Sequence, residues 1–218
     1  MKRDIFEFWS RIPDEACVHP ADQAVLNRVP HRFQTDCPPI SFFGPLRTAP
    51  VVLLFLSPGH YPDFDGQHGC SKVGQAYYRS QRDGRGKLPS PDDHGPAHDW
   101  WTGIVNQFGV EPRSVVDQIA IFNIGAYHSS SFHDWHMLTA LPSSRVALDW
   151  AQFVLFPEAE AGKRTVVCLR SARLWGLEKD ECHGKALFAP LCTPGGKMHH
   201  GPMREQVIKA VRRALRAT

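Results

Sequence analysis

The chain has 218 residues, of which 42% are hydrophobic, and its formal net charge is +3 at pH 7. A hydrophobic fraction of this size supports a buried core, and the length suits a single domain, which we expect to cover residues 1–218. The nearly balanced charge excludes a strong general attraction for polyanions, so any charged partner must be recognised by a local patch.

The N-terminal region predicts one amphipathic helix followed by an irregular segment, together covering residues 1–49. Acidic side chains interrupt the apolar stretch of MKRDIFEFWSRIPDEA (1–16), which is not typical of a secretory signal peptide. No later apolar run approaches the roughly 18 residues that cross a bilayer. We therefore expect a soluble, cytoplasmic and monomeric protein with no membrane partner.

Four short apolar runs predict β-strands. They are VVLLFL (51–56), QIAIFNI (118–124), TVVCL (165–169) and ALFAPLC (186–192). Continuous rather than alternating apolarity over so few residues is typical of strands that are covered on both faces, as in a parallel sheet.

Segments with a helical spacing of apolar residues follow the strands. They cover residues 99–110, 143–156 and 170–177, and a last one starts near Pro202. Ser143 or Ser144 is expected to cap the second segment. The alternation predicts an α/β fold, a three-layer α/β/α domain with a short four-stranded parallel sheet.

Residues 65–98 are polar and rich in Gly and Pro, and they predict a long insertion loop. Within them, Tyr77 and Tyr78 stand among five basic residues, which are Lys72, Arg79, Arg82, Arg85 and Lys87. Aromatic and basic residues interleaved in this way suit a nucleic-acid groove, whereas the simpler interpretation is a solvated surface loop.

The ends of the predicted strands carry the candidate site. Ser57-Pro58-Gly59-His60 follows the first strand, and Asn123 begins the segment that leads to His128 after the second. Arg170-Ser171 follows the third strand, and a Thr-Pro-Gly-Gly loop leading to His199 and His200 follows the fourth. Because parallel strands present their carboxyl ends on one rim, where α/β sheets bind ligands, we predict a site there.

These strand ends resemble the motifs of the uracil-DNA glycosylase superfamily. FLSPGH (55–60) is similar to the first motif of that superfamily, and IAIFNIGAYHS (119–129) resembles the segment whose Asn reads the edge of uracil. GQHGCS (66–71) is similar to a Gly-Gln-Ala-His-Gly stretch that follows the first motif. The resemblance covers roughly residues 50–215, in the family's order and spacing.

The resemblance implies a DNA-repair hydrolase that binds DNA, single- or double-stranded, or a nucleobase. Such an enzyme hydrolyses an N-glycosidic bond with positioned water, and this chemistry requires no cofactor. Ser57, His60 and Asp63 are the implied catalytic residues. The implied substrate-binding residues are Pro58, Gly59, Tyr61, Phe64, Asn123, His199 and His200.

Ser57 departs from the family, which has Asp or Asn at this place to position the water. A serine hydroxyl holds water but neither accepts a proton at neutral pH nor stabilises a sugar cation. Asp63 and Asp65 are the nearby carboxylates that could substitute. The alternative function is therefore a non-catalytic nucleic-acid-binding or adaptor protein with the same fold.

Simpler interpretations of the motifs stay open. Ser57-Pro58-Gly59 could be an ordinary turn, and Asn123 could form an Asx turn at the strand end. The chain has twelve histidines, some of them closely spaced, which makes a metal-dependent hydrolase a third hypothesis. No HExxH or CxxC spacing accompanies them, and the six cysteines predict neither a disulfide framework nor an iron–sulfur cluster.

We predict that protein purified without a histidine tag contains no stoichiometric transition metal, because the histidine spacings lack a coherent ligand set. Elemental analysis of the purified chain measures this directly, with far less than one metal ion per chain expected. About one zinc ion per chain would contradict the prediction. The first ligands to test would then be His128, His133 and His136.

Overall fold

The computed structural model describes residues 4–216 as helices around a six-stranded, mostly parallel sheet. The strands are β1 (Phe42–Phe43), β2 (Val51–Phe55), β3 (Ile119–Asn123), β4 (Thr165–Cys168), β5 (Glu181–His183) and β6 (Leu187–Ala189). Their spatial order is β1-β3-β2-β4-β6-β5. The sheet therefore places the first long strand of the chain, β2, near its centre.

The four predicted strands form the parallel centre of the sheet. Strand β2 pairs in parallel with β3 and β4, so that Leu53 lies level with Ile121 and Val167. Strand β6 continues the parallel set beside β4, whereas β1 and β5 are antiparallel edges. The α/β class is confirmed, but the expected count of four strands is wrong. The two edge strands lack an apolar run long enough to reveal them.

The central strands are buried on both faces, as their continuous apolarity predicts. In β2, Val52 and Leu54 belong to one hydrophobic cluster, while Val51, Leu53 and Phe55 belong to a second cluster. Successive side chains of a strand point to opposite faces, so these clusters are the two helix-covered sides of the sheet. The sheet is therefore the middle layer of three, with a layer of helices on each face.

The α-helices are α1 (Ile5–Trp9), α2 (Gln23–Leu26), α3 (Asp65–Cys70), α4 (Lys72–Gln81), α5 (Pro91–Val105), α6 (Met137–Ala140), α7 (Pro142–Trp150), α8 (Phe156–Glu160) and α9 (Pro202–Arg216). Short 3₁₀ turns cover Asn106–Phe108, Pro112–Val115 and Ala172–Trp175, and a π-helical turn, Ala151–Leu155, joins α7 to α8. Within residues 4–216, no helix has the combined length and apolarity needed to cross a membrane.

The start of α7 differs from the sequence-based expectation. The helix begins at Pro142, with Leu141 in the N-cap position, so the predicted caps Ser143 and Ser144 lie inside its first turn. Asp22 takes over the capping role from a distant part of the chain, because its Oδ1 accepts a 3.0 Å hydrogen bond from the backbone N–H of Ser143. The N-terminal cap of α7 is thus a tertiary contact, whereas a serine of the helix itself was expected to provide it.

The predicted loop at residues 65–98 is wrong in its secondary structure, because α3, α4 and the first half of α5 occupy most of it. Tyr77 and Tyr78 are buried in the core, so they do not offer exposed faces for stacking on nucleic acid. Arg82 binds Asp14 at 2.9 Å in the N-terminal region. That region also forms two short helices, α1 and α2, rather than one.

We predict that Leu54→Ala, at a fully buried position in β2, lowers the free energy of unfolding by about 2–5 kcal/mol, because it leaves a cavity in the central strand. Leu174→Ala is the matched control, since Leu174 is 40% exposed and should change stability by about 0.5 kcal/mol or less. Urea denaturation measures both values. Equal losses in the two variants would contradict the central position of β2.

Candidate functional site

A pocket of about 180 Å³ lies at the carboxyl ends of β2, β3 and β4. Register brings two of these ends together, because Phe55 at the end of β2 lies level with Asn123 at the end of β3. The polar residues of the pocket wall are Ser57, His94, Asn123, His128, Arg170 and the serines at 129–131. None of the lining residues, all within the described part of the chain, carries a carboxylate.

Aromatic rings form much of the apolar wall, and they are Phe43, Phe55, Tyr61, Trp100 and Phe132. Phe55 and Trp100 meet edge to face, with ring centroids 4.9 Å apart. The loop after β6 approaches the same ring through Gly196, whose φ is +83° and where a Cβ atom would lie 2.7 Å from the Phe55 ring. Only glycine suits this place, and it lets Pro194 and Gly195 close one side of the pocket.

Asn123 contributes an unusual polar group to the wall. Asn123 is 1% exposed, and the Nδ2 atom of its side chain has no hydrogen-bond partner among residues 4–216. The backbone of Asn123 is satisfied, since its N–H donates to the carbonyl oxygen of Ser41 at 2.7 Å and its carbonyl oxygen accepts from the Ser41 hydroxyl. The strand is therefore fixed while the amide is left free to bind another molecule.

His128 has a fixed orientation beside the pocket. Its Nδ1 lies 2.8 Å from the carbonyl oxygen of Gly59 and 3.5 Å from Oδ2 of Asp65. Because a carbonyl oxygen only accepts, Nδ1 carries the proton, and Nε2 keeps its lone pair when the ring is neutral. Nε2 is buried and has no partner in the described part of the chain.

A buried carboxylate, Asp65, holds this side of the site together. Asp65 is fully buried, and its Oδ2 accepts hydrogen bonds from the backbone N–H of Tyr61 at 2.6 Å and from Nδ1 of His60 at 3.1 Å. Its Oδ1 lies 3.0 Å from Nε2 of His94. Nδ1 of His94 accepts from the N–H of Ala97, so Nε2 is the protonated nitrogen and donates to Asp65.

These contacts decide the charge of Asp65. Burial by itself would raise its pKa, but hydrogen bonds from His128, His94 and the backbone N–H of Tyr61 outweigh burial and hold the pKa well below its ordinary value. Asp65 is therefore an anion at neutral pH. Since it is fully buried and does not line the pocket, it orients histidines rather than touching a ligand.

The structure brings five of the sequence-predicted site residues to the pocket wall. They are Ser57, Pro58, Gly59, Tyr61 and Asn123. All but Asn123 come from the turn after β2, which supports the expectation that the strand ends meet at one rim. Their roles in binding or catalysis remain a hypothesis.

Five other predicted residues lie elsewhere. His60 contacts Asp65 behind the pocket, and Phe64 stacks on His68 with ring centroids 4.7 Å apart. Asp63 is exposed and Asp65 is fully buried, and neither of these carboxylates lines the pocket. His199 and His200 are exposed and outside the pocket wall, although the loop that precedes them does reach the rim.

Sequence reasoning gave no role in the pocket to several residues that line it. Arg170 directly follows β4, and the rule that sites gather at strand ends placed it on the rim without giving it a role. His128 was expected on the rim and was also considered as a metal ligand, whereas His94 was one of the closely spaced histidines behind the metal hypothesis. Among residues 4–216, no group of three or more His, Cys, Asp or Glu side chains could hold a metal ion. Phe43 gave no signal because its strand, β1, was not predicted, and Trp100 gave none because an apolar position in a predicted helix indicates core.

Comparison of the chain with models of protein families, with curated proteins and with solved structures found no match. Function is therefore inferred from the geometry and the chemistry of the pocket. Of the buried side-chain atoms without a partner in residues 4–216, two belong to the pocket wall, Nδ2 of Asn123 and Nε2 of His128, and they are its most informative features.

We predict that Asp65→Asn destabilises the protein by about 3 kcal/mol at pH 7, because the buried histidines lose their anionic partner. The folded-state pKa of Asp65 lies below its ordinary value of 3.8. The stabilisation is therefore complete above that pH and is lost as the pH falls below it. Urea unfolding at several pH values should show a penalty that shrinks in acid.

Asp63→Asn is the control, since Asp63 is exposed two residues away. It should leave stability within about 0.5 kcal/mol of the wild type at every pH. A penalty for Asp65→Asn that stays constant down to the acid limit would show that the charge of Asp65 is not what stabilises the site.

Proposed function

We propose that the protein is a divergent member of the uracil-DNA glycosylase superfamily that binds a pyrimidine base in the pocket at the strand ends and excises it from DNA. The observation that carries this proposal is the buried amide of Asn123 in the wall of a pocket of ring size, because its Nδ2 has no hydrogen-bond partner among residues 4–216. Ser57, Pro58 and Gly59 of the FLSPGH segment and Asn123 of the IAIFNIGAYHS segment, which suggested the superfamily, line this pocket, whereas His60 does not.

The size of the pocket favours a single ring. Its volume of about 180 Å³ slightly exceeds that of an engineered protein cavity of roughly 150 Å³ that binds benzene. A pyrimidine has a ring of the same size with small substituents. The pocket therefore suits one base that has been turned out of a nucleic-acid strand.

The amide of Asn123 supports recognition of a polar ring edge. A buried donor without a partner costs about 1–3 kcal/mol, which a ligand oxygen at this place would recover. An Asn side chain presents one donor and one acceptor group side by side. Uracil has a carbonyl oxygen next to a ring N–H, so it complements both groups, whereas an apolar ring would leave them unsatisfied.

The aromatic wall supports stacking. Tyr61, Phe43 and Trp100 border the pocket, so a flat ligand has ring faces or edges to contact. Stacking of a base on an aromatic side chain contributes about 1–3 kcal/mol. Phe64, the other residue expected to stack, faces His68 and His94 instead, so we assign stacking to the residues of the wall.

For excision, Ser57 and His128 are the groups that could act on water. Ser57 lines the pocket, and its hydroxyl can hold a water molecule beside the sugar. His128 has its Nδ1–H fixed by Gly59, so Nε2 is the atom that could accept the proton of that water. This assignment replaces the role first given to Asp63, which is exposed.

A second function, binding of a nucleobase without excision, is favoured by one observation. No carboxylate of residues 4–216 lines the pocket, and the buried Asp65, which contacts His94 of the wall, is enclosed by its histidines. A developing sugar cation would therefore lack a facing anion. The same pocket would then serve recognition alone, as in an adaptor protein.

We predict that the wild-type protein excises uracil slowly from oligonucleotides and that Asn123→Ala lowers kcat/KM about 10- to 100-fold, because hydrogen bonds to the base are lost. Ser57→Asp should raise the rate about tenfold or more, since it restores a carboxylate beside the sugar cation. Strand cleavage at abasic sites measures excision from single- and double-stranded substrates. The protein should come from a host that lacks its own uracil-DNA glycosylase.

Asn106→Ala, at an exposed position at the end of α5, is the matched control and should leave activity unchanged. The binding function would be supported if no variant excises uracil but oligonucleotide binding, measured by fluorescence anisotropy, still falls in Asn123→Ala. If Asn123→Ala and Asn106→Ala behave alike in both assays, the pocket is not the site.

A further inference from the structure

Arg170 stands between two pockets at the carboxyl end of β4. It lines the base-sized pocket and also a neighbouring pocket of about 210 Å³, and Pro194 is the other residue shared by both. The residue that follows it, Ser171, has a φ of 60°, a left-handed conformation that is uncommon outside glycine. The chain thus turns sharply just after the arginine and leads into the 3₁₀ turn at Ala172–Trp175.

The guanidinium of Arg170 has no hydrogen-bond or ion-pair partner among residues 4–216, although the residue is partly buried. The other two arginines whose pKa is also lowered by burial are both paired. Arg82 binds Asp14, and Arg164 binds Glu158 at 3.0 Å. Burial also lowers the pKa of Arg170, with no nearby carboxylate to oppose it. A partly desolvated, unpaired cation of this kind is typical of a site that binds an anion.

The surroundings of Arg170 select for negative charge. Lys179 lines the second pocket, and none of the residues that line either pocket is Asp or Glu. Hydroxyl groups of Ser171 and Thr193 add donors to the second pocket. An anion there would meet cations and donors without a repelling carboxylate, whereas a cationic or purely apolar ligand would gain nothing from Arg170.

We propose that Arg170 binds the phosphate group of a nucleotide whose base occupies the pocket at Asn123, with the sugar passing between the two pockets. This inference rests on the proposed function and adds a second binding residue to it, because it assigns the phosphate that accompanies the base to Arg170. The phosphate belongs either to a mononucleotide or to a nucleic-acid strand. The planar guanidinium suits bidentate contact with two phosphate oxygens.

The experiment compares ligands that differ only in phosphate. Isothermal titration calorimetry of the full chain measures the affinity for deoxyuridine, for its 5′- and 3′-monophosphates, and for a single-stranded trinucleotide with deoxyuridine at its centre. We expect a phosphate-bearing ligand to bind about 10- to 100-fold more tightly than deoxyuridine. Arg170→Gln should remove this advantage, measured as the ratio of the affinity for the phosphate-bearing ligand to the affinity of the same variant for deoxyuridine.

Two variants serve as controls. Arg170→Lys keeps the charge but loses the bidentate geometry, so it should retain part of the advantage. Arg173→Gln removes a positive charge from the 3₁₀ turn that follows Arg170, at an exposed position outside both pockets. This variant should retain the full affinity gain from the phosphate. Because deoxyuridine binding is measured for each variant, a folding defect would appear as a loss of the nucleoside affinity as well.

The outcomes separate this inference from the function on which it rests. If only the trinucleotide binds more tightly than deoxyuridine, Arg170 binds the phosphate of a nucleic-acid strand. If a monophosphate also binds more tightly, Arg170 binds the phosphate of a mononucleotide. If deoxyuridine binds and Asn123→Ala weakens it, but Arg170→Gln and Arg173→Gln act alike, the role of Arg170 is wrong and the base pocket stands. If neither deoxyuridine nor any phosphorylated ligand binds, the proposed function fails and the role of Arg170 with it.

Discussion

The carboxylate of Asp65 is the interaction on which the candidate site depends. A fully buried anion is tolerated only when several donors satisfy it, and here those donors come from separate parts of the chain. His60 belongs to the turn after β2, His94 to α5, and His128 to the segment after β3. The contacts with this one carboxylate therefore fix the positions of three segments around the pocket relative to each other.

This arrangement separates negative charge from the ligand. Asp65 lies behind the histidines, so the residues that line the pocket present amide, hydroxyl and imidazole groups, aromatic rings and the cation of Arg170, but no carboxylate. Such a wall suits a ligand with carbonyl oxygens and a phosphate, while it offers no facing anion to a sugar cation. Because no lining residue carries a carboxylate, the proposed function combines recognition of a nucleotide with slow excision or with none.

The helical insertion shows where local patterns were insufficient. Residues 65–81 contain several glycines and few apolar side chains, which predict a loop, yet α3 and α4 form there. Tertiary contacts override the weak propensity, since Tyr77 and Tyr78 are buried against the core and Asp65 ties the start of α3 to the turn before it. The edge strands β1 and β5 were missed because two or three residues carry no periodicity.

The sequence by itself determined the central strands and the rim where their ends meet, because continuous apolar runs require burial on both faces and parallel pairing aligns their ends. It therefore placed Ser57 and Asn123 at a common site. Tertiary structure alone decided that Asp65 rather than Asp63 is buried, that His128 has a fixed tautomer, and that Arg170 has no charged partner among residues 4–216. Hydrogen bonds and charge pairing join residues distant in the chain, and no local spacing encodes them.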